Sequence, residues 1–399
     1  MSVILLLGLT TLVAVGCAEN RSVVLERESL FDLEIGRLED QLDLISREGI
    51  MPRASTSVVM RDGIVYIGDG AANKIMEFTS FGDLVQLIYN PRENPEPVTL
   101  GGEGVSAAGG VVTRTATEYP FNRVGRIAVD SRRFVYAEDR LSSERAVFDE
   151  QLGVQLNRIV LRFDDRGEAV EYIGQEGIGG TPFPFIERIQ ITARDEVAVV
   201  ASTMDTKFVY LYDPSGELMY TVRIGLDRLP IPTEDEELIT VLEELVAGVD
   251  AYRIYLKISY YRTAVAEDTG EEYGINFDHS RVYWLDLQSG QYTGFVELPR
   301  GAEGDDGEHY ELIGVVEGEH IFLLSRQDAG QTRLLIMNDT GRVIRRRTLA
   351  ISEVDLIARS FSLTIDGVLT ALLGYPSLAH VVWWRTDRLL PTARSDDDG

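Results

Sequence analysis

Residues 58–88 read VVMRDGIVYIGDGAANKIMEFTSFGDLVQLI, and the fold turns on how this stretch is parsed. Residues 58–60 are a short apolar run ending at Arg61-Asp62-Gly63, a turn in which glycine takes a positive φ without steric cost. Residues 64–67 are β-branched and aromatic and break at Gly68-Asp69-Gly70. Residues 74–78 alternate, with Ile75 and Glu77 on one face and Met76 and Phe78 on the other. A further turn at 79–83 leads into a last strand at 84–88. The stretch is a four-stranded antiparallel meander. Alone it cannot bury a face, so its meaning depends on whether it recurs.

It does recur. The hairpin between the third and fourth strands reads MEFTSFGDLV, then LRFDDRGEAV, YLYDPSGELM, YWLDLQSGQY and LIMNDTGRVI, with glycine at 82, 167, 216, 290 and 341. Polar turn residues followed by glycine are what a short hairpin loop requires. A sixth copy, VWWRTDRLL, has Asp387 near the glycine place. Six four-stranded meanders that are apolar on both faces predict an all-β, six-bladed β-propeller over residues 30–390, because wrapping the units into a ring covers every face and leaves short edges. The last unit supplies only three strands. Residues 30–35 (LFDLEI) have the alternation of a fourth, which would close the ring as the outer strand of blade six; the other reading is a helix over 26–46 lying outside it. Thr233 and Glu236 form a capping box, and Leu238, Leu242, Leu245, Ile239, Val246 and Val249 recur at helical spacing, which predicts an inserted helix over 233–249. Residues 91–120, rich in Gly, Pro, Thr and Glu, read as a long loop.

The chain has 399 residues and a net charge of −27, with acidic residues outnumbering basic ones 65 to 38. Such a chain is repelled by phosphate backbones, which excludes nucleic acid as an expected partner. Three lysines stand against thirty-five arginines, taken here as compositional bias. Residues 3–16 are apolar and small apart from Thr10 and Thr11, too short to span a bilayer but suited to a signal-peptide core, and they end at the only cysteine, Cys17. Ala14-Val15-Gly16-Cys17 resembles the lipobox of bacterial lipoproteins, departing from it in having Ala where Leu is usual. The resemblance implies a signal peptide over 1–16, lipid on Cys17, a tether over 17–29 and a monomeric body held at the outer or inner membrane, facing the periplasm or cell surface. The other reading of Cys17 is an ordinary buried cysteine. Residues 391–399 form a polar tail.

GIVYIGDGAANKIMEFTSFG is similar to an NHL repeat, matched at Gly63, Tyr66, Asp69, Asn73, Ile75, Phe78 and Gly82; later repeats keep the strand spacing but not the Asp and Asn. Together with the lipobox, the chain resembles six-bladed, NHL-like propeller lipoproteins of bacteria, a likeness that implies a fold and no particular activity.

Asp69 and Asn73 read either as ligands at a loop mouth or as side chains that cap the turn. His279, His309, His320 and His380 lack ligand spacing, and the acidic run GAEGDDGEH reads as a solvated linker, so no metal or cofactor is expected. No nucleophile elbow or phosphate loop occurs. Tyr119 and Phe121, beside the long loop, and Tyr260 and Tyr261 are the chosen partner surface, since such aromatics dominate interface hot spots. The inner-strand segments VVM, RIAV, IQI, YLKIS, LIGVV and SLTI look apolar and offer no catalytic set. The expected function is therefore a binding or scaffold module for a protein or glycan partner, not an enzyme. The alternative is a hydrolase or lyase of the metal-dependent lactonase type with an axial site.

Overall fold

The computed structural model describes residues 23–44, 56–100, 102–105, 111–232, 238–250, 252–266, 270–300, 309–326 and 330–391. Six antiparallel sheets follow one another around an axis. Blade one runs outward from Thr56–Arg61 through Ile64–Asp69 and Lys74–Thr79 to Leu84–Tyr89. Blades two to five begin on the inner strands Val124–Val129, Phe185–Ile191, Ile239–Ala247 and Tyr310–Val316. Blade six is built of Ala358–Leu363, Leu369–Gly374, Leu378–Trp384 and, outermost, Glu28–Glu34. Asp32 pairs with His380 and Leu33 with Ala379, so the first and last parts of the fold share one sheet, as the strand reading of 30–35 predicts.

The core lies between blades. One cluster joins Leu33, Val58, Met60 and Val65 to Leu372 and Val381, packing blade six on blade one. Corresponding clusters fill each of the other five interfaces. All six seams are thus apolar and filled, which is the energetic reason for a closed ring. The five hairpin glycines at 82, 167, 216, 290 and 341 all have positive φ, between 65° and 94°. At Gly82 a Cβ would also lie 2.7 Å from the Cβ of Phe31 on the closing strand.

The helix expected over 233–249 is not formed. Ile239–Ala247 is the inner strand of blade four, and the capping box at 233–236 falls outside the described residues. The cause is a β-bulge: Leu242 pairs with Ile258 but Glu244 with Lys257, so Glu243 is an extra residue. Leu238 and Leu242 keep strand alternation, and the bulge then brings Leu245 onto their face three residues later. One extra residue converts a strand period into an imitation of a helical one. It follows that YLKIS belongs to the second strand of blade four, not the inner one.

The long loop is also structured. Val111–Glu118 adds to the edge of blade one, parallel to Leu84–Tyr89, and Gly102–Val105 pairs beyond it. Val23–Leu25 lies parallel to Val343–Leu349 at the edge of blade five, so the segment read as a tether is folded from Val23 onward. Among the described residues no helix is long and apolar enough to cross a membrane.

Candidate functional site

An inner strand has one edge with no neighbouring strand, and the N–H and C=O groups there need partners. Side chains from adjacent blades supply them. Val58 N donates to Ser360 Oγ at 3.2 Å, joining blade one to blade six, and Ser57 Oγ donates to the Gly125 carbonyl of blade two at 3.2 Å. Ala247 N of blade four donates to Gln190 Oε1 of blade three at 2.9 Å, and Leu312 N of blade five donates to Glu244 Oε2 at 3.5 Å. Arg188 reaches from blade three past blade four, its Nη1 donating to the Ile313 carbonyl at 2.8 Å. The axis is therefore stitched side to side, with a cavity of about 390 Å³ lined by all six inner strands.

Charged residues stand within the first four positions of four of these strands, which places Arg126, Glu187, Arg188, Glu311 and Arg359 around the same cavity. This corrects the expectation that the inner strands are apolar. RIAV itself opens with Arg126, IQI and LIGVV directly follow Arg188 and Glu311, SLTI follows Arg359 by three residues, and in blade four the wrong strand stood for the inner one. The missed signal was a charged residue opening or directly preceding the apolar runs of blades two, three and five.

Beside the cavity, two of the three lysines meet a carboxylate cluster. Lys257 is 1% exposed; its ammonium pairs with Glu243 and lies 3.5 Å from Glu244 Oε2. Glu243 Oε1 also accepts the Tyr261 hydroxyl at 3.2 Å, and its carbonyl accepts Lys207 Nζ at 3.3 Å. Lys207 Nζ pairs in turn with Glu187 Oε2 at 2.7 Å. Burial pushes the Lys257 amine down to about 8, opposed by nearby Glu311. Burial pushes the Glu244 carboxyl up to about 7; the Leu312 N–H opposes this and Glu311 adds to it. A carboxyl and an amine that both exchange protons near neutrality thus sit at the edge of the channel. Among the described residues no group of three or more potential metal ligands occurs.

The expected partner surface is divided by the structure. Phe121 is 1% exposed and packs on Phe163, and Tyr260 is fully buried, stacked on His279 with centroids 4.6 Å apart. Both are core residues and present no surface. Tyr119 is half-buried against Phe121, while half-buried Tyr261 belongs to the carboxylate cluster. Cys17 lies outside the described residues. Asp69 is fully buried and accepts the N–H groups of Ala71 and Ala72 at 3.1 and 3.0 Å and that of Asp43 at 2.8 Å. Asn73 Oδ1 accepts Val124 N at 2.9 Å. Both are turn chemistry that also staples neighbouring segments. The aromatic residues left exposed are elsewhere. The second and third strands of blade four, Arg253–Val265 and Glu272–Asp286, overrun their neighbours as a hairpin at the end of the ring where the inner strands begin, exposing Tyr273 and Ile275.

No protein-family model and no curated protein matches the chain. Several solved structures resemble it. The structure described as the Dos1 propeller aligns over 87% of this chain and 69% of its own, with a TM-score of 0.37 and 11% identity. Streptogramin B lyase aligns over 89% and 99%, with a TM-score of 0.35 and 12% identity. The β-propeller domain of the Trilobed protease from Pyrococcus furiosus aligns over 80% and 78%, with a TM-score of 0.37 and 10% identity. Likenesses of this size carry no argument about chemistry, and the propeller rests on the sheet order itself.

Proposed function

We propose that the protein is a lipid-anchored, extracytoplasmic propeller of the cell envelope, acting as a binding module that receives a protein or glycan partner at the mouth of its axial channel. The observation that carries this reading is the stitched axis: five blades display charged side chains around one cavity, on strands hydrogen-bonded to one another, so the groups are held in place before any partner arrives. The hairpin of blade four, with Tyr273 and Ile275, stands beside that mouth as a second contact. The lipobox-like run at 14–17 supports the anchor. Val23–Leu25 at the perimeter of blade five would keep the membrane to the side of the ring and the mouth open. A photo-crosslinking residue in place of Tyr273, used in the native cell, is expected to capture one discrete partner; no discrete adduct there, or one equally strong from the far end of the channel, counts against the reading. For the anchor, Cys17→Ala is expected to release the protein from the membrane fraction, and unchanged fractionation refutes lipidation.

One observation favours the enzymatic alternative: Glu244 and Lys257 titrate near neutral pH beside the channel, as acid–base catalysis requires. Turnover of lactone or glycan substrates that Glu244→Gln abolishes would establish it; turnover retained by that variant excludes this site.

A further inference from the structure

The axial cavity inverts the charge balance of the chain. Acidic residues outnumber basic ones 65 to 38 overall, yet the charged residues lining the cavity are four arginines and two glutamates. Three of these six are accounted for by their neighbours. Arg61, at the far end, lies beside Asp62 and Asp195; Arg188 donates to the Ile313 carbonyl; Glu187 pairs with Lys207. The guanidinium groups of Arg126 and Arg359 and the carboxylate of Glu311 form no ion pair among the described residues, and all three are exposed to the cavity.

The cross-blade hydrogen bonds set the two arginines at one height. Arg126 follows Gly125, whose carbonyl accepts Ser57 Oγ, and Arg359 precedes Ser360, whose hydroxyl accepts Val58 N. They flank the inner strand of blade one, which offers only the hydroxyls of Thr56 and Ser57 at that level. Arg188 shares this environment: burial holds its guanidinium below the ordinary value, Glu311 and Glu244 oppose that, and Arg126 adds to it by a smaller amount. Two guanidinium groups at one level repel one another, and a carboxylate placed between them replaces repulsion with charge-assisted hydrogen bonds. Glu311 stands on blade five, opposite blade two, where it would repel a second negative charge but accept hydrogen bonds from hydroxyl groups. The volume suits one small molecule.

We propose that Arg126 and Arg359 form a binding site for a small hydroxylated carboxylate, a sugar acid, with its carboxylate against blade one and its hydroxyls toward Glu311. The site rests on the binding-module reading and names the chemistry that reading would use. The test is titration calorimetry of the full chain in detergent at low ionic strength, with D-glucuronate, D-glucose, succinate and inorganic phosphate as probes. D-glucuronate is expected to bind, and D-glucose, which lacks the carboxylate, is not. Arg126→Gln and Arg359→Gln are each expected to weaken D-glucuronate about ten-fold or more. Each is also expected to raise the melting temperature of the unliganded protein, because it removes repulsion; an arginine with a purely structural role would lower it. Tighter binding of phosphate or succinate than of D-glucuronate, equal binding of D-glucose, or indifference to both substitutions overturns the assignment. If D-glucuronate fails while the crosslink at position 273 persists, the ligand class falls and the binding module stands; if both fail, both readings fall.

Discussion

Lysine occurs three times in this chain, and each one is buried: Lys74 at 0%, Lys207 at 7% and Lys257 at 1% exposure. Among the described residues every exposed position held by either Lys or Arg is an arginine, so the lysines are not a random residue of composition. A compact ammonium fits where a planar guanidinium would not, and it changes its pKa readily when buried. Lys74 shows the structural use, its Nζ donating to the carbonyls of Leu38 and Gln41 at 2.6 and 2.7 Å. Lys257 shows the ionic one. Lys257→Met leaves Glu243 and Glu244 without their cation and is expected to cost about 3 kcal/mol, the low end for a broken buried pair because both carboxylates are partly hydrated; urea denaturation measures it. The proton linkage has opposite signs at the two ends of this pair. Glu244 rises from 4.5 to about 7 on folding, so its contribution is full below pH 4.5 and is lost as pH climbs to about 7. Lys257 falls from 10.5 to about 8, so the unfolded chain binds the extra proton and stability rises between pH 8 and 10.5. Glu244→Gln is therefore expected to flatten the fall in the urea midpoint between pH 5 and 7 relative to the parent, and an unchanged slope would show that Glu244 titrates normally.

At the level of elements, legibility followed turn chemistry. The hairpin glycines at 82, 167, 216, 290 and 341 could be read because only glycine suits a positive φ at low cost, and that constraint is written into the sequence at each repeat. The bulge at Glu243 could not be read, because nothing in LEELV distinguishes an extra strand residue from helical spacing; the pairing of Glu244 with Lys257 decides it. That one shift also hid the carboxylates of Glu243 and Glu244, which stand beside the channel. The closing strand was legible by elimination, since blade six lacked a member. Leu33 is 4% exposed between blades six and one, and Leu33→Ala is expected to cost about 2–4 kcal/mol, the range for a leucine deleted from a packed core. Gly82→Ala is expected to destabilise by at least about 1 kcal/mol, from its φ of +84° and its approach to Phe31, whereas the same change at Gly63 meets nothing within 4 Å and isolates the backbone strain alone. A loss at position 82 no larger than at position 63 would show that the contact with the closing strand is unimportant.

Over the whole molecule, stability and site have different sources. The six apolar seams hold the ring, while the charged groups of the axis sit on strand edges that the seams leave free. Substitutions at Arg126 or Arg359 are thus expected to leave the fold intact, checked by unchanged far-ultraviolet circular dichroism. Truncation of residues 23–34 is expected to lower the melting temperature and to cause aggregation, because it bares the edges of blades five and six together.

The pairing of Glu28–Glu34 with Leu378–Trp384 also dictates an order of events in time. The outermost strand of blade six is synthesised before any other strand of its sheet and its partner after all of them, so a chain that emerges from a ribosome or a translocon head first carries an unmatched strand until Leu378–Trp384 has been delivered. Blades one to four can assemble as they appear, each from consecutive residues. Blade six must wait, and contacts this distant in sequence form slowly. A chain stalled or clipped before Leu378–Trp384 can therefore never complete the ring, which leaves arrival of that strand as the checkpoint between a sticky intermediate and the closed fold.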